Sequence, residues 1–191
     1  MAVTRRGGAP EMVLPELPEI ITVDKCTECH VTPLEVARRM VSYLGGTGDY
    51  LTLEPSAGTG NLLQALYDSG HSSCELVAIE RHINLCEQIR KRFKDKQYID
   101  PLCECFLEYA KRARGKIEYP RIIMNPPFKL VKQHMKAAIN LLGAGGHDSA
   151  VLVALVPITY NHDDGETMEE LPRDTFSAAK VSTKIIRIEQ G

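Results

Sequence analysis

The chain has 191 residues, 43% of them hydrophobic, with a formal net charge of −2 and a pI near 6.3. That is enough to bury one substantial core but too short for a catalytic domain plus a large second module, and the charge balance excludes a generally basic surface that coats nucleic acid. No apolar run approaches membrane-spanning length and none follows Arg5 and Arg6 as in a signal peptide, so a cytoplasmic protein is expected.

Residues 1–24, with Pro10, Pro15 and Pro18, read as an extended or disordered arm, and 25–191 as the single domain. Cys26-Thr27-Glu28-Cys29-His30 has the spacing of half a zinc site. The only near second pair, Cys103 and Cys105, is spaced too tightly, so no metal is assigned and the six cysteines read as free thiols. Order is expected from Thr32-Pro33-Leu34-Glu35: a Thr N-cap, Pro at the first helical position and Glu closing a capping box. Ala37, Met40, Val41 and Leu44 then recur at helical spacing up to Gly45-Gly46.

A strand near 50–54 ends in Glu54, turns through Pro55-Ser56-Ala57-Gly58-Thr59-Gly60 and enters a helix marked by Leu62, Leu63, Ala65 and Leu66. A strand, a glycine turn and a helix N-terminus make a nucleotide cradle, because backbone approaches a ligand closely only where Cβ is missing. A second strand, 75–80, ends in Glu80 about 20 residues past Gly60, where a dinucleotide fold places the carboxylate that accepts the ribose hydroxyls. The helix from His82 to about Lys94 turns Cys86, Ile89 and Phe93 inward. Its other face, Arg90, Lys91, Arg92, Lys94 and Lys96, reads as solvated or, with Lys111, Arg112, Arg114 and Lys116, as a phosphate-contacting patch.

A third strand is expected within 98–105 and a fourth at 120–124, which delivers Asn125-Pro126-Pro127-Phe128 to its carboxyl end, where open α/β sheets bind ligands. An amphipathic helix over 129–142 follows, then a central strand at 149–156, an acidic loop or lid over 161–174, and a strand at 183–189. His162, Asp163 and Asp164 are adjacent in that loop, and neighbours in a flexible loop seldom converge on one ion.

The tetrapeptide's chemistry follows from its groups. An amino nitrogen conjugated to a ring is a poor nucleophile because its lone pair is delocalised. The Asn125 side-chain oxygen and the Pro126 carbonyl, placed tetrahedrally, would accept its two hydrogens and free the lone pair for a methyl electrophile. Prolines fix φ and offer carbonyls without competing N–H donors, and Phe128 offers a face for stacking, worth about 1–3 kcal/mol per base.

The glycine loop and Asn125–Phe128 together resemble the S-adenosylmethionine-dependent amino-methyltransferases, most closely the N6-adenine DNA enzymes with their Asn-Pro-Pro-Phe or Asn-Pro-Pro-Tyr tetrapeptide. The resemblance spans roughly Val31 to Pro157 and implies a Rossmann-like α/β sheet with helices on both faces, with S-adenosylmethionine as cofactor. It implies a cofactor site of Thr32, Glu54, Pro55, Ala57, Gly58, Gly60, Glu80, Cys105 and Phe106, and a catalytic site of Asn125, Pro126, Pro127 and Phe128. Glu54 would meet the methionine ammonium, and Thr32 the methionine end. Cys105, a poor acceptor, stands where the family has an Asp that receives the adenine amino group, so Glu104 substitutes or the contact is weakened. The family's sheet has seven strands, whereas six are legible here. The last strand is therefore expected to be missing, with a partner chain or further segment completing the edge beyond Glu189. The implied function is methyl transfer to N6 of adenine in DNA; RNA, a protein glutamine amide, or a non-catalytic cofactor-binding subunit are the alternatives.

Overall fold

The computed structural model describes residues 31–95, 99–176 and 181–191; the arm at 1–24, the Cys26–Cys29 pair and Lys96 lie outside the described residues. Five strands run parallel: β1 (Thr52–Glu54), β2 (Leu76–Glu80), β3 (Leu102–Cys103), β4 (Arg121–Met124) and β5 (Ala150–Pro157). Helices α1 (Leu34–Leu44), α2 (Asn61–Asp68), α3 (Ile83–Arg92), α4 (Phe106–Ala113) and α5 (Val131–Ile139) cover the two faces. The strand order is β3-β2-β1-β4-β5-β7-β6, with β6 (Gly165–Leu171) and β7 (Thr183–Gln190) forming an antiparallel hairpin whose inner strand, β7, pairs antiparallel with β5. The order reverses between β1 and β4, and such a switch point opens a crevice at the strands' carboxyl ends.

Period-two alternation divides the buried side chains between two cores. Ile123, Val151, Val153 and Leu155 face α1, α2 and α3; Ile122, Met124, Leu152, Ala154 and Val156 face α4 and α5. β5 is buried along almost its whole length, as expected of a central strand with both faces covered.

Three expectations from the sequence change. The seventh strand is present, so the described chain itself supplies the full sheet. β6 lies in the segment that the sequence presents as a loop. It is an edge strand carrying Glu166, Glu169 and Glu170, and a bulge between Thr167 and Glu169 shifts its register. Charges protect an edge from stray pairing and the bulge breaks the two-residue period, so the usual strand signal is erased. Next, α1 starts at Leu34 with Pro33 at its N-cap in an extended conformation, and no side chain caps it; Thr32 is engaged elsewhere. Finally, β3 shrinks to two exposed residues directly after Pro101. Among the described residues no helix is long and apolar enough to cross a membrane.

Candidate active site

A cavity opens at the switch point between β1 and β4. Its walls come from four places: Thr32 before α1; Glu54, Pro55, Ala57 and Gly58 after β1; Glu80 at the end of β2 with Cys105 and Phe106 at the start of α4; and Asn125, Pro126 and Pro127 after β4. Eleven of the thirteen residues singled out from the sequence thus line one cavity. Gly60 and Phe128 do not.

The glycine turn is shaped by its neighbours. Gly58 has φ +54 and its N–H donates to Glu80 Oε2 at 2.9 Å; the Glu80 Oε1 accepts from His82 N–H at 2.8 Å. Each Glu80 oxygen therefore keeps a fixed direction and a further acceptor position, which suits a diol. Gly60, with φ +81, turns away from the cavity: a Cβ there would lie 3.1 Å from the Phe93 ring, so this glycine serves the turn and close helix packing.

Glu54 is buried, and its Oε2 has no hydrogen-bond partner. Burial first, and the nearby Glu80 second, push its carboxyl well above the usual range. A buried acid with one oxygen left without a partner in a cavity wall suits a cationic guest, whose charge would favour the carboxylate form.

Thr32 is the junction of the site. Its Oγ1 accepts from Asn125 Nδ2 at 2.9 Å, and its carbonyl accepts from Asn61 Nδ2 at 2.8 Å. The Asn61 Oδ1 in turn accepts from Arg92 Nη1 at 2.8 Å, and the same guanidinium reaches the Thr59 carbonyl at 2.9 Å. One run of hydrogen bonds therefore connects α3, the glycine loop, the residue before α1 and the tetrapeptide. In this arrangement Asn125 Nδ2 donates to Thr32, and Oδ1 is the acceptor arm of the amide. Arg92, which the sequence groups with the solvated face of α3, is half-buried and braces the loop instead.

Phe128 begins a 3₁₀ turn over Phe128–Leu130 and is half-buried outside the lining. Glu104 pairs with Arg112 and does not line the cavity, so it does not stand in for an acceptor at Cys105. Lys111 pairs with Glu108 at 2.6 Å and Arg90 with Asp100 at 2.7 Å, so these members of the basic clusters are matched by acids. Among the described residues no group of three or more His, Cys, Asp or Glu side chains could hold a metal ion.

Sequence reasoning does not single out His134. It is buried on α5, lines the cavity, and places its ring centroid 5.5 Å from that of Phe106, with Nδ1 3.5 Å from Ser56 Oγ. Burial, then the Arg81 charge, hold its pKa down to about 4, so the imidazole is neutral at pH 7. The signal that could have found it is a polar residue beside Met135 on the inward face of an amphipathic helix.

No family model matches the sequence, and no curated protein matches it. The structure, by contrast, is similar to solved methyltransferases. A modification subunit of a putative type I restriction enzyme from Vibrio vulnificus superposes with a TM-score of 0.69 at 15% identity, over 84% of this chain and 44% of that one. A putative methyltransferase from Escherichia coli gives 0.54 at 17% identity over 73% and 76%, and a dimethyladenosine transferase from Plasmodium falciparum 0.60 at 14% over 82% and 62%. The described chain has the Rossmann-like fold of the class I methyltransferases.

Proposed function

We propose that the chain is an S-adenosylmethionine-dependent N-methyltransferase whose acceptor is the N6 amino group of adenine in DNA. The observation that carries the reading is the Asn125–Thr32 bond in the wall of the cavity that also holds Glu54, Gly58 and Glu80. The residues present fit the cofactor: Glu54 offers an unmatched buried carboxyl for the ammonium, and the Glu80 carboxylate, oriented by two backbone N–H groups, offers acceptors for the ribose. When bound, S-adenosylmethionine supplies an electrophilic methyl group.

This chain's residues do the rest. Asn125 Oδ1 and the Pro126 carbonyl accept the two amino hydrogens, favouring a pyramidal nitrogen whose lone pair points into the cavity. Thr32 holds the amide so that oxygen, not nitrogen, is presented. No strong base is needed, because a nitrogen that has gained a methyl becomes acidic and gives its proton to water. Most of the rate comes from in-line positioning. Phe128, outside the cavity but within the tetrapeptide, would be the ring on which a base flipped from its duplex stacks. The choice of DNA is supported by the resemblance of Asn125–Phe128 to the N6-adenine DNA enzymes, and type I modification subunits stand among the structural neighbours beside a 23S rRNA methyltransferase of comparable similarity.

The test is transfer of tritiated methyl from S-adenosylmethionine to DNA, RNA and protein pools, by wild type and Asn125→Ala. Label in DNA that requires Asn125 is expected. Label in RNA alone or protein alone would overturn the acceptor, and label in none the activity.

A further inference from the structure

Between Glu118 and Asp148 the sequence holds Arg121, Lys129, Lys132 and Lys136 and no acid, in a chain whose net charge is −2. This stretch contains the tetrapeptide and α5. Leu130 and His134 turn toward the cavity, while Lys132 and Lys136, one helical turn apart, are exposed on the opposite side of α5. There they line a second groove with Tyr160, Asn161 and His162 from the segment after β5. Met124 sits opposite Ala154 in the sheet, so the tetrapeptide and this segment leave adjacent parallel strands at their carboxyl ends.

We propose that this groove is a phosphate-binding track for the nucleic-acid strand that carries the target base. Several of the chain's other exposed cations, Arg38, Arg90, Lys111 and Arg112, face a carboxylate. Among the described residues no carboxylate pairs with Lys132 or Lys136. An ammonium already matched by an acid gains little from a phosphate, whereas an unmatched one displaces the counterions condensed on the strand. His162 Nδ1 accepts the Asp164 N–H at 3.2 Å and lies 4.0 Å from the Asp164 Oδ2. Asn161 Oδ1 is held by Lys184 Nζ at 3.0 Å, which fixes that wall of the groove. Tyr160 is half-buried and lines the groove.

The inference rests on the nucleic-acid reading of the site and deepens it by giving the strand a path. It is tested by fluorescence anisotropy of the full chain with a labelled single-stranded DNA oligonucleotide, across a salt series, for wild type, Lys132→Ala/Lys136→Ala, and Lys111→Ala as the paired-cation control. The double variant is expected to bind roughly tenfold more weakly, with a log–log salt slope about 1.4 shallower, ~0.7 for each phosphate that is no longer neutralised. Lys111→Ala should match wild type. A Lys132→Gln/Lys136→Gln variant and thermal unfolding check that weaker binding does not come from misfolding. Unchanged affinity and slope in folded double variants would overturn the track. So would a wild type that takes up S-adenosylmethionine but binds no oligonucleotide at low salt, which leaves methyl transfer to another acceptor standing. Conversely, lysine-dependent oligonucleotide binding without cofactor uptake would uphold the track and overturn the methyltransferase reading.

Discussion

The two ends of the cavity are built on different principles. At the end formed by β1, β2 and β4, polar side chains sit at strand termini, Glu54 and Glu80 buried and Asn125 half-buried: Glu80 is fixed by two backbone N–H groups, Asn125 is bonded to Thr32, and Glu54 keeps one oxygen without a partner. At the end formed by the starts of α4 and α3, Leu85, Phe106 and Cys105 provide a mostly apolar wall, with neutral His134 behind it. The first end is organised by directed bonds and suits a charged, chemically exacting guest; the second suits a flat ring held by shape. Substitutions at the first should therefore cost far more than those at the second.

The largest effect is expected at Asn125. Asn125→Ala removes one of two acceptors at the reacting nitrogen and should lower methyl transfer by about 10²–10³, the usual cost of losing a preorganised polar group. Cofactor affinity by calorimetry should be nearly unchanged, and a comparable loss of affinity would break the assignment. Glu54→Gln comes next: losing a charge-assisted bond should weaken cofactor binding roughly 10- to 100-fold. The titration of Glu54 gives a second readout. Its folded pKa is raised, so above the ordinary carboxylate range the unfolded chain binds fewer protons than the folded one, and the stability of the free protein falls as pH rises until Glu54 itself ionises. Glu54→Gln should flatten that part of the profile of unfolding temperature against pH. Wild type should release a proton on binding the cofactor, seen as buffer-dependent heats.

Thr32→Val keeps the shape but removes the acceptor of the Asn125 amide. A fall in transfer of about tenfold is expected with little change in affinity, on the scale of one hydrogen bond. The smallest effect belongs to the apolar end. Cys105→Asp restores an acceptor and should tighten cofactor binding by a few-fold, within the ~0.5–1.5 kcal/mol net of a hydrogen bond. If Cys105→Asp moved affinity more than Glu54→Gln, the contrast between the two ends would be reversed.

The same contrast governs what the sequence reveals. Strand ends that deliver an acid or an Asn-Pro-Pro run are local patterns, and Glu54, Glu80 and Asn125 are all legible at their sequence positions. What joins them is not: the run from Arg92 through Asn61 and Thr32 to Asn125 links residues 31, 29 and 93 positions apart, and no local period encodes it. Thr32 shows the cost of reading locally. Thr-Pro-Leu-Glu has every feature of a capping box, yet the hydroxyl is spent on Asn125 and the helix begins uncapped. The β6 edge is hidden for a different reason, because charges and a bulge that suit an exposed strand remove the alternation by which strands are recognised.

The central claim is that one cavity takes S-adenosylmethionine with its methionine ammonium at Glu54, and calorimetric titration of the wild-type chain with that ligand tests it most directly. A single-site isotherm near one ligand per chain, with heats that vary with the buffer's ionisation enthalpy, is the expected result. No heat at millimolar ligand would contradict it.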